Sequence, residues 1–443
     1  MAVIDRTIPR PSLWSVVWPV VAMGWLRQGY LLTDSWFVGR LGDDALAAIG
    51  GSAFAWWMLL LLAELPGVGV HALVAQHVGA ERLDLVRGTF TQGLWLGIAL
   101  GVGLLALLPA VPWYLAAVGF AAGSHTAALG TAFLSASLQG GVPVVLNVVV
   151  GGVFRGLGRT RAALGITVLT FVVNAALLPV LIRPLGIAGA AWATVLASAV
   201  GACIGLGWLT VRGLGPTRAQ PHAASIARIA AIGGPVSARG IAFCFVYVLL
   251  GRFIVQFGEA QMAGLGIGHR VEGLAYQVCV AFEVGAATLV GQHVGARDLV
   301  GARRAAHQAA LLCSALMIPA ALILFVAAPA IFDAFASTEA TIGAGTAYLR
   351  IQTAVFVFMA LEAVYGGAFA GSGRTVAPFW IVTIGTVARL PLAWLLAWPL
   401  GLGARGIWIA IALSTMGKGI ASASAWRRRW ALPHPMAPQA PSR

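Results

Sequence analysis

Charge is the first thing this chain is short of. Only 9% of its 443 residues are charged and 60% are hydrophobic, where a soluble domain carries about 25% charge. Lysine is nearly missing: Lys418 is the sole one among 28 basic residues. The four cysteines, Cys203, Cys244, Cys279 and Cys313, lie far apart in apolar segments, which excludes a disulfide framework or a metal-ligand spacing. The histidines are also too widely spaced for a zinc site. There is no Gly-x-x-x-x-Gly-Lys-Ser/Thr run to cradle nucleotide phosphates, so the chain does not itself hydrolyse ATP. No short apolar core with a small-residue cleavage site opens the sequence. The first apolar run, from Leu13 to Leu32, is long and contains Arg27, so no cleavable signal peptide is expected.

Long apolar runs fill the rest. Twelve of them approach the length of roughly 20 residues that crosses a bilayer, near 13–34, 46–74, 91–112, 126–152, 163–183, 187–210, 233–256, 262–290, 307–329, 347–369, 376–398 and 403–425. A closed barrel would show alternating segments of about ten residues instead, so the spans are helices. The reading is an all-α membrane protein of twelve transmembrane helices. It divides into an N-terminal segment 1–12, an N-lobe 13–210, a polar linker 211–232, a C-lobe 233–425 and a basic tail 426–443.

The net charge of +14 does not point to nucleic acid, because the arginines sit in short loops, where they set topology. One set of loops and both termini hold Arg6, Arg10, Arg82, Arg87, Arg155, Arg159, Arg161, Arg212, Arg218, Arg228, Arg297, Arg303, Arg304, Arg374, Arg427, Arg428, Arg429 and Arg443. The alternate loops hold only Arg40, Arg183, Arg252 and Arg405. Both termini are therefore expected in the cytoplasm, which requires an even number of spans.

The halves repeat each other. Residues 76–80, QHVGA, recur at 292–296, and Pro184 to Gly186 recur at Pro399 to Gly401. The pair Gly42 and Asp43 with Ala47 returns as Gly258 and Glu259 with Ala263, and Gly158, Arg159, Thr160 return as Gly373, Arg374, Thr375. Four matches in order at nearly one spacing, 215 or 216 residues, mean an internal duplication. Six spans per half put both lobes the same way up, related by a pseudo-two-fold axis along the membrane normal.

Acidic residues within spans are Asp34, Glu64, Glu272, Glu283 and Glu362. An ionisable group in hydrocarbon is a functional candidate by default, and low dielectric disfavours a lone carboxylate. Asp34 is the leading one, as a proton or cation site; the bland alternative is a wet helix end. Glu362 is the second. The repeat sets Glu362 against Asn147 and Arg389 against Asn174, so both lobes carry polar groups at equivalent depth. Glu362 either faces a cavity or forms a static bridge to Arg389. Glu272 reads as a local ion partner of Arg270. Asp43 and Asp44 read as a solvated loop and helix cap. Gln28, Tyr30, Asn147, Glu64, Glu283 and Arg389 are candidate cavity-lining residues. Trp25, Trp36, Trp56 and Trp57 join Tyr30 as possible contacts for lipophilic cations, although most tryptophans in such a chain are anchors. Pro19 removes one backbone hydrogen bond from the first span and makes a hinge plausible.

Residues 33–42, TDSWFVGRLG, followed by ALAA at 45–48, resemble a signature of the multidrug and toxic compound extrusion family. So do TLVGQHVGA at 288–296, RGLGRT at 155–160, GSGRT at 371–375, and RLPL at 389–392 with GIW at 406–408. The resemblance covers residues from about 13 to 425. It implies two six-helix lobes and export of amphiphilic, often cationic compounds in exchange for protons or sodium. It implies no cofactor beyond the coupling ion and places the chain in a bacterial cytoplasmic membrane. By the same resemblance Asp34 matches a span-1 aspartate, Asn174 a span-5 asparagine, and Pro19 a proline at which span 1 bends. Leu178 stands where the family's proton-coupled branch has a second span-5 acid. The expected partners are a small amphiphilic substrate and the lipid bilayer, with a monomer sufficient.

Two other readings compete. A flippase for a lipid-linked precursor would want free basic groups such as Arg27, Arg239 and Arg389. A membrane acyltransferase would use His293 and Asp298, which have a His-x-x-x-x-Asp spacing. The repeated copy at His77 ends in Arg82 instead, which favours a structural turn, so no catalytic residue is expected.

Overall fold

The computed structural model describes residues 11–121, 123–336 and 338–428. Arg6, Arg10, Arg429 and Arg443, which entered the topology argument, lie outside the described residues. Among the described residues the regular elements are α1 (Leu13–Gly39), α2 (Asp43–Gly79), α3 (Leu83–Gly103), α4 (Val111–Val118), α5 (His125–Gln139), α6 (Gly141–Gly156), α7 (Thr160–Leu185), α8 (Ile187–Val211) and α9 (Ala223–Val255). They continue with α10 (Glu259–Gly295), α11 (Leu299–Phe335), α12 (Glu339–Thr353), α13 (Phe356–Gly371), α14 (Val376–Val387), α15 (Arg389–Ala397) and α16 (Gly403–Arg427). A 3-10 stretch, Leu104–Ala110, joins α3 to α4.

Among the described residues nine stretches are long and apolar enough to cross a membrane, and two bent pairs add one each: α5 with α6 at 53° and α12 with α13 at 55°. The twelfth span is α1, whose hydropathy is lowered by Arg27, Gln28 and Asp34. The breaks fall in the fourth and tenth spans, at equivalent places of the sequence repeat.

The chain forms two compact units that divide between Cys244 and Phe245, inside α9. In the first, Val70, Phe90, Val149, Val153, Phe154 and Leu209 make one apolar cluster, and Val38, Ala45, Ala48, Leu178 and Ile182 make another. In the second, Phe332, Tyr348, Leu349, Ile407 and Trp408 form the core. Large apolar side chains such as Leu311, Leu322 and Val326 remain exposed, as lipid-facing residues do.

Small residues set the helix spacing in both units. A Cβ on Gly152 of α6 would strike the Gly67 carbonyl of α2, and one on Gly367 of α13 would strike the Glu283 carbonyl of α10. The same holds one turn on, for Gly156 against His71 and Gly371 against Ala287. Without a hydrophobic force between helices in lipid, such close backbone approach supplies much of the packing.

The stretch read as a linker is held by side chains of α3. Gln92 donates to the Gln220 carbonyl at 2.9 Å and accepts from the His222 amide at 2.8 Å. Arg87 donates to the Gly215 carbonyl at 3.2 Å, and the Thr217 amide donates to the Thr91 hydroxyl at 2.8 Å. Helix α9 begins within that stretch, at Ala223.

Pro19 lies buried inside a continuous α1. Lacking an N–H, it leaves the carbonyl of Ser15, four residues back, without its helical donor. The buried Thr160 hydroxyl at the start of α7 fills that place, donating to the Ser15 carbonyl at 3.0 Å.

Two predictions follow from this packing. Thr160→Val leaves the half-buried Ser15 carbonyl without a donor, a cost of about 1 kcal/mol. Thermal unfolding of the purified protein should show a lower melting temperature for Thr160→Val and a nearly unchanged one for Thr160→Ser. Gly152→Val and Gly367→Val overpack backbone contacts, by about 1–3 kcal/mol each. Both should melt earlier than wild type, whereas Gly417→Ala, with nothing within 4 Å of the added carbon, should not.

Candidate functional site

Asp34 lies inside α1, five residues before its end at Gly39. It is half-buried, and its Oδ1 is out of contact with solvent and has no hydrogen-bond partner. The two adjacent hydroxyls do not help. Thr33 donates to the Gly29 carbonyl at 2.9 Å and Ser35 to the Leu31 carbonyl at 2.8 Å, so both are spent on their own helix.

The neighbouring polar groups come from α1, α7 and α8, which pack together. Asn174 of α7 is fully buried, and its Nδ2 donates to the Thr194 hydroxyl of α8 at 3.4 Å. Thr194 in turn donates to the Ala190 carbonyl at 3.3 Å. Tyr30, one turn before Asp34, lies near the same Thr194 and in electrostatic reach of Asp34. Its ring stands 6.2 Å from that of Phe171. Asn174 Oδ1 is a second buried acceptor without a partner. Leu178, one turn beyond Asn174, packs in the apolar cluster with Val38 and Ala48. The acid missing from the family pattern is thus replaced by core. Thr194 had no signal in sequence, because a hydroxyl in an apolar run is ordinary.

Other candidates of the first unit stand apart from this group. Arg27 and Glu64 pair at 3.6 Å, both half-exposed, with Arg155 in electrostatic reach of both. Asn147 lies against Gly201 of α8, where its Oδ1 would be 2.9 Å from an added Cβ. Gln28 is half-buried. Trp36 carries the Arg40 guanidinium 4.5 Å above its ring, while Trp56 and Trp57 pack edge-on against Phe133 and Phe243. Asp43 and Asp44 sit in the first turn of α2, where negative charge is favourable.

The second unit corrects two expectations. Glu362 does not bridge to Arg389: Lys418 Nζ lies 3.0 Å from each Glu362 oxygen. Arg389 instead donates from Nε to the Ser414 hydroxyl at 2.9 Å, from Nη2 to the Thr415 hydroxyl at 3.1 Å, and from Nη1 to the Tyr247 hydroxyl at 3.2 Å. Glu272 is not paired with Arg270. Residues two apart point to different sides of a helix, and Glu272 accepts from the Tyr348 hydroxyl at 2.6 Å, with His269 at 3.7 Å. Tyr348 also contacts His269 Nδ1 at 3.2 Å, and the rings of His269 and Tyr247 stand 5.0 Å apart. Two polar groups, Glu272–Tyr348–His269 and Tyr247–Arg389, therefore meet through the ring contact of His269 with Tyr247. Glu283 is half-buried on α10 beside Cys279.

Asp298 caps α11 by accepting from the Gly301 amide at 2.8 Å, and His293 Nδ1 meets its other oxygen at 2.9 Å. The pair closes a turn. No cluster of metal-ligating residues occurs among the described residues.

The MatE family model matches the chain twice, over residues 19–180 and 235–395, at the spacing of the sequence repeat. A probable multidrug resistance protein NorM of Thermotoga maritima is 25% identical over 91% of this chain and 89% of its own length. One from Bradyrhizobium diazoefficiens is 27% identical over 87% and 86%. Among solved structures, one described as MATE in the straight conformation superposes with TM-score 0.89, at 22% identity over 97% of this chain and 99% of that one. A transporter from Pyrococcus furiosus, described as having a binding pocket of reversed polarity, gives 0.90 at 23% identity over 97% and 99%. These likenesses establish the twelve-helix fold. The chain belongs to the MatE family of membrane transporters and is not an enzyme.

Proposed function

We propose that this chain is a secondary antiporter that exports amphiphilic, often cationic organic compounds in exchange for protons. The observation that carries this reading is Asp34, an in-membrane acid with a buried oxygen and no partner. An ionised aspartate within a span is costly, and the more so the deeper it lies. Protonation removes that charge, so binding and release of a proton shift the balance between conformations. Tyr30, Asn174 and Thr194 line the same place, and Pro19 gives α1 a weak point one helix segment away. The relatives named for multidrug resistance support the substrate class. A solved neighbour described in an outward-facing conformation supports alternating access. The arginine distribution supports a cytoplasmic-membrane location with both termini inside.

The flippase reading is disfavoured by the fate of its arginines. Arg27 is paired with Glu64, Arg389 is tied to three hydroxyls, and Arg239 is engaged as well. None is a loose cation waiting for a pyrophosphate.

The test is dye efflux from proteoliposomes under an imposed pH gradient or an imposed sodium gradient. The pH gradient should drive efflux by the wild type, and Asp34→Asn should reduce it to the leak of protein-free vesicles. Full gradient-driven efflux by Asp34→Asn would remove Asp34 from the mechanism. Efflux driven only by sodium would replace the proton as coupling ion.

A further inference from the structure

The sole lysine of the chain is buried. Lys418 of α16 is 4% exposed, and its ammonium is 3.0 Å from both oxygens of Glu362 on α13, itself 17% exposed. A glycine makes the room: a Cβ on Gly385 of α14 would collide with the Lys418 stem. A lysine ammonium is a compact point charge with three donors, whereas the guanidinium used everywhere else in this sequence is broad and planar. A small site between two carboxylate oxygens accepts the former.

We propose that Lys418 is a tethered counter-ion that closes the Glu362 site to sodium and other small monovalent cations, and so acts as an ion-specificity determinant of this transporter. A carboxylate at this depth must be neutralised by a proton, a bound cation or a fixed positive charge. Lys418 supplies the last of these from within the chain, at 3.0 Å from both oxygens. The first unit makes the opposite choice, since Asp34 has no cationic partner and a buried bare oxygen. Ion exchange is thereby confined to Asp34. In its consequence for transport this inference rests on the export reading; in its consequence for cation binding it stands alone.

The test reads binding without transport. Melting temperatures of the purified full chain are compared in sodium chloride and in N-methylglucamine chloride at equal ionic strength. Wild type should melt at the same temperature in both. Lys418→Met should melt several degrees higher in sodium, because a ligand of the folded state stabilises it, and Lys418→Met with Glu362→Gln should lose that difference. A sodium-specific rise in wild type that Glu362→Gln abolishes would overturn the proposal, as would a folded Lys418→Met without one. Should Lys418→Met fail to fold in N-methylglucamine, its yield from sodium-containing buffer decides: recovery supports the tethered cation, and failure in both salts overturns it. A gained sodium response in a protein whose efflux ignores the pH gradient would leave this inference standing and remove the export reading alone.

Discussion

Hydrocarbon offers no hydrogen bonds, and most of this structure answers that one constraint. A polar group carried into the bilayer finds its partner inside the protein or imposes a large penalty. The Ser15 carbonyl orphaned by Pro19 is met by Thr160. Thr33 and Ser35 turn back onto their own helix. The guanidinium of Arg389 is surrounded by Tyr247, Ser414 and Thr415. Several buried hydroxyls and indoles escape that rule too, but among the described residues Asp34 Oδ1 is the only carboxylate oxygen buried without a partner, and an unpaired carboxylate costs far more in hydrocarbon than an unpaired hydroxyl.

Duplication provided the scaffold twice, and the polar interior then diverged. The glycine contacts between α2 and α6 recur between α10 and α13, because backbone spacing tolerates little change. The polar groups tolerate more. Asn174 of the first unit corresponds to Arg389 of the second, and Asn147 to Glu362. An edge-on pair, Trp56 with Phe133, stands where the second unit has Glu272 with Tyr348. The result is one unit with Asp34 left available and another in which Glu362 is engaged by Lys418 and Glu272 by Tyr348 and His269.

Much of this was legible beforehand. Run length and loop arginines gave the spans, and four ordered matches revealed the repeat. Asp34 was conspicuous as a carboxylate in an apolar run. Pairing was not legible. Glu362 and Lys418 are 56 residues apart, and nothing in spacing told Lys418 from Arg389 as the partner. Glu272 beside Arg270 looked local because sequence proximity ignores helix rotation. Thr160 was invisible as a donor and Thr194 as an acceptor, since a threonine in an apolar run gives no sign of which neighbouring helix its hydroxyl meets.

The sequence by itself determined that the chain lives in a membrane, that it crosses twelve times, and that it is a doubled six-span unit. These depend on transfer free energies that add along the chain, so they can be read residue by residue. Tertiary structure alone decided which acid keeps a counter-ion and which does not. That outcome depends on helix rotation and on which side chains meet within about 3–4 Å, the range over which hydrogen bonds and ion pairs act. Distances of that size are set by packing between helices, and no one-dimensional pattern contains them.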